Sequence, residues 1–318
     1  MPNTADFPIL IDEDGAPFVQ LNDYKFKIEL EELTGDWKQR AINELRETPE
    51  NVENGLTELR KLIQTEPNWN IPIDDTEFLL KFLRPCKYYP ESAFKIMKKF
   101  YGFRVKFPKY CMNIYPNDIR HVFDNEVFFF MPTRSPVGAR IKLVNVGSKW
   151  NPKVVTLEDM FKAVMVGTEV AMREPKSQLG GAEVILNMEG LALTHVYQFS
   201  PSLAKLMADW VQTCTPVRLK GIHVINQPYI FKLLWTMFKP FLGEKLRKRI
   251  FFHGYNKKSL FEKIPAECLP PCIGGTANLP DYPGSVFSEM LYYYEDDFIR
   301  FNKYGYTVDA NGKEIVYS

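Results

Sequence analysis

Histidine is scarce in this sequence, and the few residues able to do chemistry are scattered. The 4 histidines among 318 residues are His121, His195, His223 and His253. They fall in four different predicted elements, so no nucleophile is assembled with its base. His223 alternates with Ile222 and Val224 in an apolar run, where a satisfied structural imidazole is expected rather than a general base. The 5 cysteines, Cys86, Cys111, Cys214, Cys268 and Cys272, are odd in number and irregularly spaced. That excludes a disulfide framework and fits a reduced, cytoplasmic setting. Cys268 and Cys272 lack a second Cys or His pair at zinc spacing, so no metal is expected. G-x-S-x-G, G-x-x-x-x-G-K and H-E-x-x-H are all absent. Gly180-Gly181 precedes a predicted strand instead of following one, which excludes a dinucleotide fingerprint. The expectation is a protein that is not an enzyme and carries no cofactor.

Long apolar runs are missing too. No stretch approaches 18 apolar residues, so no membrane-spanning helix is expected. The segment MPNTADFPILIDEDG has neither a basic leading region nor a long apolar one, unlike a signal peptide. Net charge is only +1, and no base-stacking platform accompanies the basic residues, so nucleic acid is not an expected partner. With 45% apolar and 25% charged residues, the chain can bury a core of one large or two modest domains.

Four zones follow from the order of patterns along the chain. Residues 1–25 are polar and rich in Asp, Pro and Asn, and read as a flexible or loosely docked lead. Residues 26–112 carry helical periods such as Leu56, Leu59, Leu62 and Ile63, broken at Thr48-Pro49 and Glu66-Pro67. Asp75 is placed to cap TEFLLKFLR, and Pro90 to open the next helix. From 113 to 276, short apolar runs alternate with helices, which predicts a largely parallel α/β sheet with helices packed on it. EVFFFM, ARIKLVNV, AEVILNM and GIHVI are its strands. Thr156 with Asp159 forms a capping-box pattern for a helix ending at Arg173, and Ser200-Pro201 starts another that reaches about Thr213. Residues 277–318 contain SEMLYYYEDDFIRF, predicted to be one docked helix with its acidic residues turned to solvent.

The chain is organised around PYIFKLLWTMFKPFL, residues 228–242. Pro228 suits a first helical turn, Asn226 a cap, and Pro240 a kink or stop. Phe231, Leu234, Trp235, Phe238 and Leu242 form one face, while Ile230, Leu233, Met237 and Phe241 make the other apolar as well. At about 15 residues the helix is too short to span a bilayer. Three readings stay open on periodicity alone: a buried core helix, a partner-binding helix, or a lid between a cavity and a membrane. Around it lies a basic island, with 12 Lys or Arg against 3 Asp or Glu from Lys205 to Lys263. Arg218 and Lys220 are two apart in a strand-like run, and Lys245, Lys248 and Arg249 share a helical spacing. Matched cations bracketing an apolar helix fit a surface that carries phosphate groups.

The ordered pieces GIHVINQP, IF, KPFL, EKLRKRI, HG, LP and GG resemble the signature of the CRAL-TRIO lipid-binding family. The likeness is nearest to its alpha-tocopherol transfer protein and retinaldehyde-binding protein branch. DDTEFLLKFLRPCKYYPESAFKIMKKFYGFR is similar to the helical module preceding that domain. Together these matches span residues 30–276. The resemblance implies an all-helical N-terminal module, a CRAL-TRIO domain with a mostly parallel sheet, and a mobile apolar lid helix comprising Ile230, Phe231, Leu234, Trp235 and Phe238. It implies an apolar pocket walled by Phe161, Val164, Thr168, Val184, Leu186, Met207, Trp210, Val211, Leu219 and Ile222. Each of these could equally be ordinary core, which periodicity does not separate from a cavity wall. Trp210 departs from the smaller aliphatic residue of the tocopherol-binding relatives. The resemblance further implies phosphatidylinositol bisphosphate binding at Arg218, Lys220, Lys245 and Arg249. The implied role is a cytoplasmic, reversibly membrane-associated carrier of an isoprenoid-type lipid such as tocopherol, a retinoid or a carotenoid. A phospholipid exchanger and a phosphoinositide-binding trafficking adaptor remain the alternatives.

Overall fold

Five runs rich in β-branched and aromatic residues pair into one sheet: Phe128–Arg134, Arg140–Asn145, Ala182–Asn187, Leu219–Ile225 and Ile250–Gly254. The structure, a computed structural model, describes residues 3–309 and 311–315. The strands lie side by side in chain order. The first pair is antiparallel, joined by a tight turn in which Gly138 has φ +77° and donates its N–H to the Ser135 carbonyl at 2.7 Å. The other three pairs are parallel. Because parallel crossovers are right-handed, strands added always on the same side receive their connecting helices on one face. Those helices are Leu157–Arg173, Pro201–Asp209 and Phe231–Phe238.

The register then sorts the side chains. Phe130, Lys142, Val184, Ile222 and Ile250 pair successively across all five strands, as do Phe128, Val144, Leu186, Val224 and Phe252. Strand alternation turns both rows toward the helices and turns Ile141, Leu143, Ile185 and His223 the other way. The sheet is therefore the mostly parallel α/β sheet expected from the chain's alternating pattern.

Local chemistry sets the helix bounds. Thr156 and Asp159 form the anticipated capping box, with Thr156 N–H donating to Asp159 Oδ2 at 2.9 Å and Asp159 N–H to Thr156 Oγ1 at 3.1 Å. Ser200 caps the helix Pro201–Asp209, which continues as a π turn over Trp210–Cys214. Helix 228–242 is shorter than its apolar run suggested. Asn226 is not its cap: it has φ +51°, and its Nδ2 donates to Asn187 Oδ1 at 2.9 Å. Residues 228–230 form turns, the α-helix covers Phe231–Phe238, and Pro240 forces a 3-10 turn over Lys239–Phe241.

The first 25 residues do not form a loose lead. Leu10–Ile11, Pro17–Leu21 and Tyr24–Lys27 make a three-stranded antiparallel sheet, with Val19, Leu21 and Phe26 buried. The Asp, Asn and Gly that gave the segment its polar composition are turn residues. Asp12 Oδ1 accepts from the Asp14 and Ala16 N–H groups, and Asn22 sits at φ +51° in a two-residue hairpin loop. Four longer helices follow, Gly35–Leu45, Pro49–Gln64, Thr76–Leu83 and Pro90–Lys106, with Thr48 and Asp75 as caps.

The tail also differs from the single helix expected. It forms two helices, Ser285–Tyr292 and Glu295–Lys303, docked by Phe287, Met290, Leu291, Phe298 and Phe301. Two of its acidic residues are ion-paired instead of free in solvent: Glu289 with Arg120 at 2.6 Å, and Asp297 with Arg173. Gly305–Tyr306 then pairs with Trp69–Asn70, tying the tail to the N-terminal helices.

A buried ionic cluster joins sheet and N-terminal segment. Glu174 is bound by Arg140, by Arg134 at 3.0 Å and by the Ser177 hydroxyl, and Glu29 contributes a second carboxylate. Burial raises the Glu174 pKa, but the two guanidinium groups prevail and hold it down to about 2. Glu174→Ala is expected to lower the unfolding free energy by about 3–5 kcal/mol in urea denaturation at neutral pH, because Arg140 remains buried without its principal partner. A carboxylate depressed in the folded state stabilises fully above its unfolded pKa, near 4.5, and loses that effect as pH falls toward 2. The difference between wild type and variant should shrink over that window; a difference unchanged across it would refute the assignment.

Candidate functional site

The two rows of the sheet do not meet the helices in continuous contact. Between them lies a cavity of about 290 Å³. Val144, Val184, Leu186, Ile222, Val224, Ile250 and Phe252 form its floor. On Leu157–Arg173, residues Leu157, Met160, Phe161, Val164 and Thr168 recur at helical spacing and form one wall. Met207, Trp210 and Val211 form the next, and Leu219 closes one end. Phe231, Leu234, Trp235 and Phe238 cover the cavity from the short apolar helix. All ten side chains singled out as a pocket therefore surround one space. Of the five lid residues, Ile230 does not line it; it precedes the helix and packs half-buried against the core.

Trp210 is 1% exposed and packs on Phe103, Phe100 and Phe161, with ring centroids 5.1, 5.5 and 6.1 Å away. Phe100 and Phe103 belong to Pro90–Lys106, so the N-terminal helices buttress the cavity wall. The π turn beginning at Trp210 is what places this large ring there.

Polar groups in the lining are few. Thr168 donates its hydroxyl to the Val164 carbonyl at 2.8 Å, within its own helix. Lys142 was not singled out from the sequence. Its side chain lines the cavity, and its Nζ donates to the Gly167 carbonyl at 2.8 Å. Burial pushes the amine down to about 7; Glu174 opposes that shift and Arg140 adds to it. A Cβ at Gly167 would come within 2.9 Å of the Phe128 ring, so glycine is required where helix and sheet close this end. A lysine flanked by Ile141 and Leu143 in a buried strand was the available signal. Val144 and Met160 could have been found from strand alternation and helical spacing.

The covering helix is held along one seam. Trp235 and Phe231 meet Phe252 at 4.8 and 5.8 Å, and Phe238 meets Phe199 at 5.8 Å. Its other side is open: Leu233 is 51% and the preceding Tyr229 87% exposed. The all-round apolar sequence therefore divides into one face over the cavity and one toward solvent.

Arg218, Lys220 and Arg249 lie close enough to repel one another, joined by Arg40 from the helix Gly35–Leu45. Burial first, and then these like charges, push the Arg218 and Lys220 pKa values down despite Glu44, which sits 3.9 Å from Arg218. Arg218 donates to the Leu179 carbonyl at 2.7 Å, and Arg249 to that of Leu219. Arg40 was absent from the sequence-derived set because it is more than 170 residues from the others. Lys245 is exposed on the four-residue helix Glu244–Arg247.

The histidines take no part in the cavity. His223 Nδ1 and His253 Nε2 are 3.1 Å apart, and His253 Nδ1 is 2.8 Å from Ser259 Oγ, on the sheet face turned away from the helices. The expectation that His223 is fully satisfied fails: its Nε2 is buried without a hydrogen-bond partner among the described residues. Burial and His253 lower its pKa to about 4, which keeps the ring neutral at physiological pH. Among the described residues no helix is long and apolar enough to cross a membrane.

The chain is also similar to known proteins. A CRAL/TRIO domain model matches residues 124–275. Human alpha-tocopherol transfer protein-like is 30% identical over 269 residues, covering 84% of this chain and 78% of its own. Rat Clavesin-2 is 29% identical over 282 residues, covering 88% and 85%. The crystal structure of Sfh5 aligns at TM-score 0.48 and 10% identity, over 75% of this chain and 96% of its own. With a family domain over the sheet and relatives matched along most of both chains, the protein belongs to the CRAL-TRIO family.

Proposed function

We propose that this protein carries a small hydrophobic lipid of isoprenoid type in its cavity and delivers it to phosphoinositide-containing membranes when the short apolar helix opens as a lid. The observation supporting this reading is an apolar chamber roofed by a helix that exposes Leu233 on its outer side, next to the exposed Tyr229 of the preceding turn. A volume of about 290 Å³ lies at the lower end for ligand pockets, which favours a compact guest over a two-chain phospholipid. Such a carrier works from the aqueous side and associates with membranes reversibly.

Magnitudes support a lid that stays shut in water. Leu234 is buried and Phe231, Trp235 and Phe238 are half-buried; full burial of such a side chain is worth roughly 1.5–3 kcal/mol, so the three contribute part of that each. Arg218, Lys220, Lys245 and Arg249 near an anionic surface supply on the order of 1 kcal/mol each, which alone is too little. Insertion of Leu233 and Tyr229 into the interface adds an apolar term on the membrane side. Charge and apolar contact together offset much of the opening cost, so the membrane both recruits and opens the carrier.

Two measurements test this reading. Solvent extraction followed by mass spectrometry should find one stoichiometric lipid in the wild type and none in Val164→Trp, whose indole fills the chamber. An empty wild type that still binds phosphoinositide vesicles would favour the adaptor reading. In a vesicle transfer assay, replacing Arg218 and Arg249 together by Ala should remove about 2 kcal/mol of surface attraction and slow delivery to phosphoinositide vesicles up to about 30-fold. Guest binding in solution should remain. Loss of both would show that these cations hold the strand ends through their carbonyl hydrogen bonds and do not grip a headgroup.

A further inference from the structure

Lys142 is the one ionisable side chain among the described residues lining the cavity, and the proposed carrier function leaves it without a task. It stands between Phe130 and Val184 in a row otherwise made of Phe, Val and Ile. The residue is 7% exposed. Its amine has a single hydrogen-bond acceptor among the described residues, the Gly167 carbonyl, and the Phe130 ring centre lies 5.2 Å away. Among the described residues no carboxylate is paired with it. Glu174 acts on it only at longer range and is already engaged by Arg140 and Arg134.

A chamber for a pure hydrocarbon would be better served by Leu or Met at this position, since a buried amine with unused donors disfavours an apolar guest. A guest with an anionic end group changes that balance, because it supplies the missing counter-charge and accepts the unused N–H bonds. We infer that Lys142 anchors the guest by its end group, and that the guest is a lipid bearing a terminal carboxylate. This rests on the carrier reading and narrows its class to acidic lipids. Burial pushes the empty-chamber amine down to about 7, so it is only partly protonated there. Entry of the carboxylate draws the missing fraction of a proton onto Nζ from solvent, leaving carboxylate and ammonium in contact. The apolar tail extends along the floor toward the lid.

Chain-matched probes separate the two levels of the argument. Wild type, Lys142→Met and Val164→Trp are titrated with retinoic acid and with retinol, binding being followed by tryptophan fluorescence quenching. Wild type should prefer the acid by about tenfold or more, as expected for hydrogen bonds to a charged group. Lys142→Met should lose that preference while retaining or improving retinol affinity, which also shows that the variant is folded. Val164→Trp should bind neither probe. Equal affinity of wild type for acid and alcohol, unchanged in Lys142→Met, overturns the anchor and leaves the carrier standing. Wild type that binds neither probe overturns the isoprenoid carrier reading and the anchor with it. Borohydride trapping of a covalent adduct between Lys142 and an aldehyde guest from the purified protein would replace the ion pair with an imine and refute the carboxylate assignment.

Discussion

Right-handed crossovers confine every connecting helix to one face of the sheet, and the rest of the molecule is arranged around that constraint. Strands laid down in chain order leave no alternative side for Leu157–Arg173, Pro201–Asp209 or Phe231–Phe238. The register then aligns two rows of side chains beneath them. Whether such rows become core or floor depends on how far the helices descend. At Gly167 the missing side chain lets helix and sheet touch. Elsewhere Phe161, Trp210 and Phe238 hold the elements apart, and the gap is the cavity.

Rigidity is distributed unevenly around that gap. Floor and walls are fixed by the Glu174–Arg140–Arg134 cluster, by the tilted aromatic packing of Phe100 and Phe103 against Trp210, and by the tail strand paired with Trp69–Asn70. The helix Phe231–Phe238, the proposed lid, has none of these. It is 8 residues long, lacks a side-chain cap and meets its neighbours through aromatic edges. Leu234 is the helix's one fully buried side chain, and local opening concentrates where buried apolar contact is sparse, which is consistent with the proposed lid role.

Much of this was legible in the residues. Capping at Thr156 and Asp75 is local chemistry, and the strands announced themselves by composition. Positions such as Val164 and Met207 were reached only through family resemblance, because periodicity does not distinguish a residue facing a side chain from one facing a void. Three features escaped for identifiable reasons. The N-terminal strands were hidden by their turn residues. The lid was overextended because apolar continuity outran the turns after Asn226 and the effect of Pro240. Arg40 and Lys142 depend on tertiary placement: one reaches a cationic cluster from a distant helix, and the other is a charge whose strand neighbours are all apolar.

The same geometry couples the guest to the lid. An unfilled apolar cavity costs stability, because side chains lining it lack contact partners on one side. A guest that fills the chamber removes much of that penalty and gives Phe231, Leu234 and Phe238 a surface to pack on. Under the proposed carrier function, loading would strengthen closure and departure of the guest would weaken it. Membrane contact would act in the opposite sense, by stabilising the outer face of the same helix. On that proposal two environments compete for one eight-residue element, and the direction of lipid movement would follow which of them offers it the larger apolar surface.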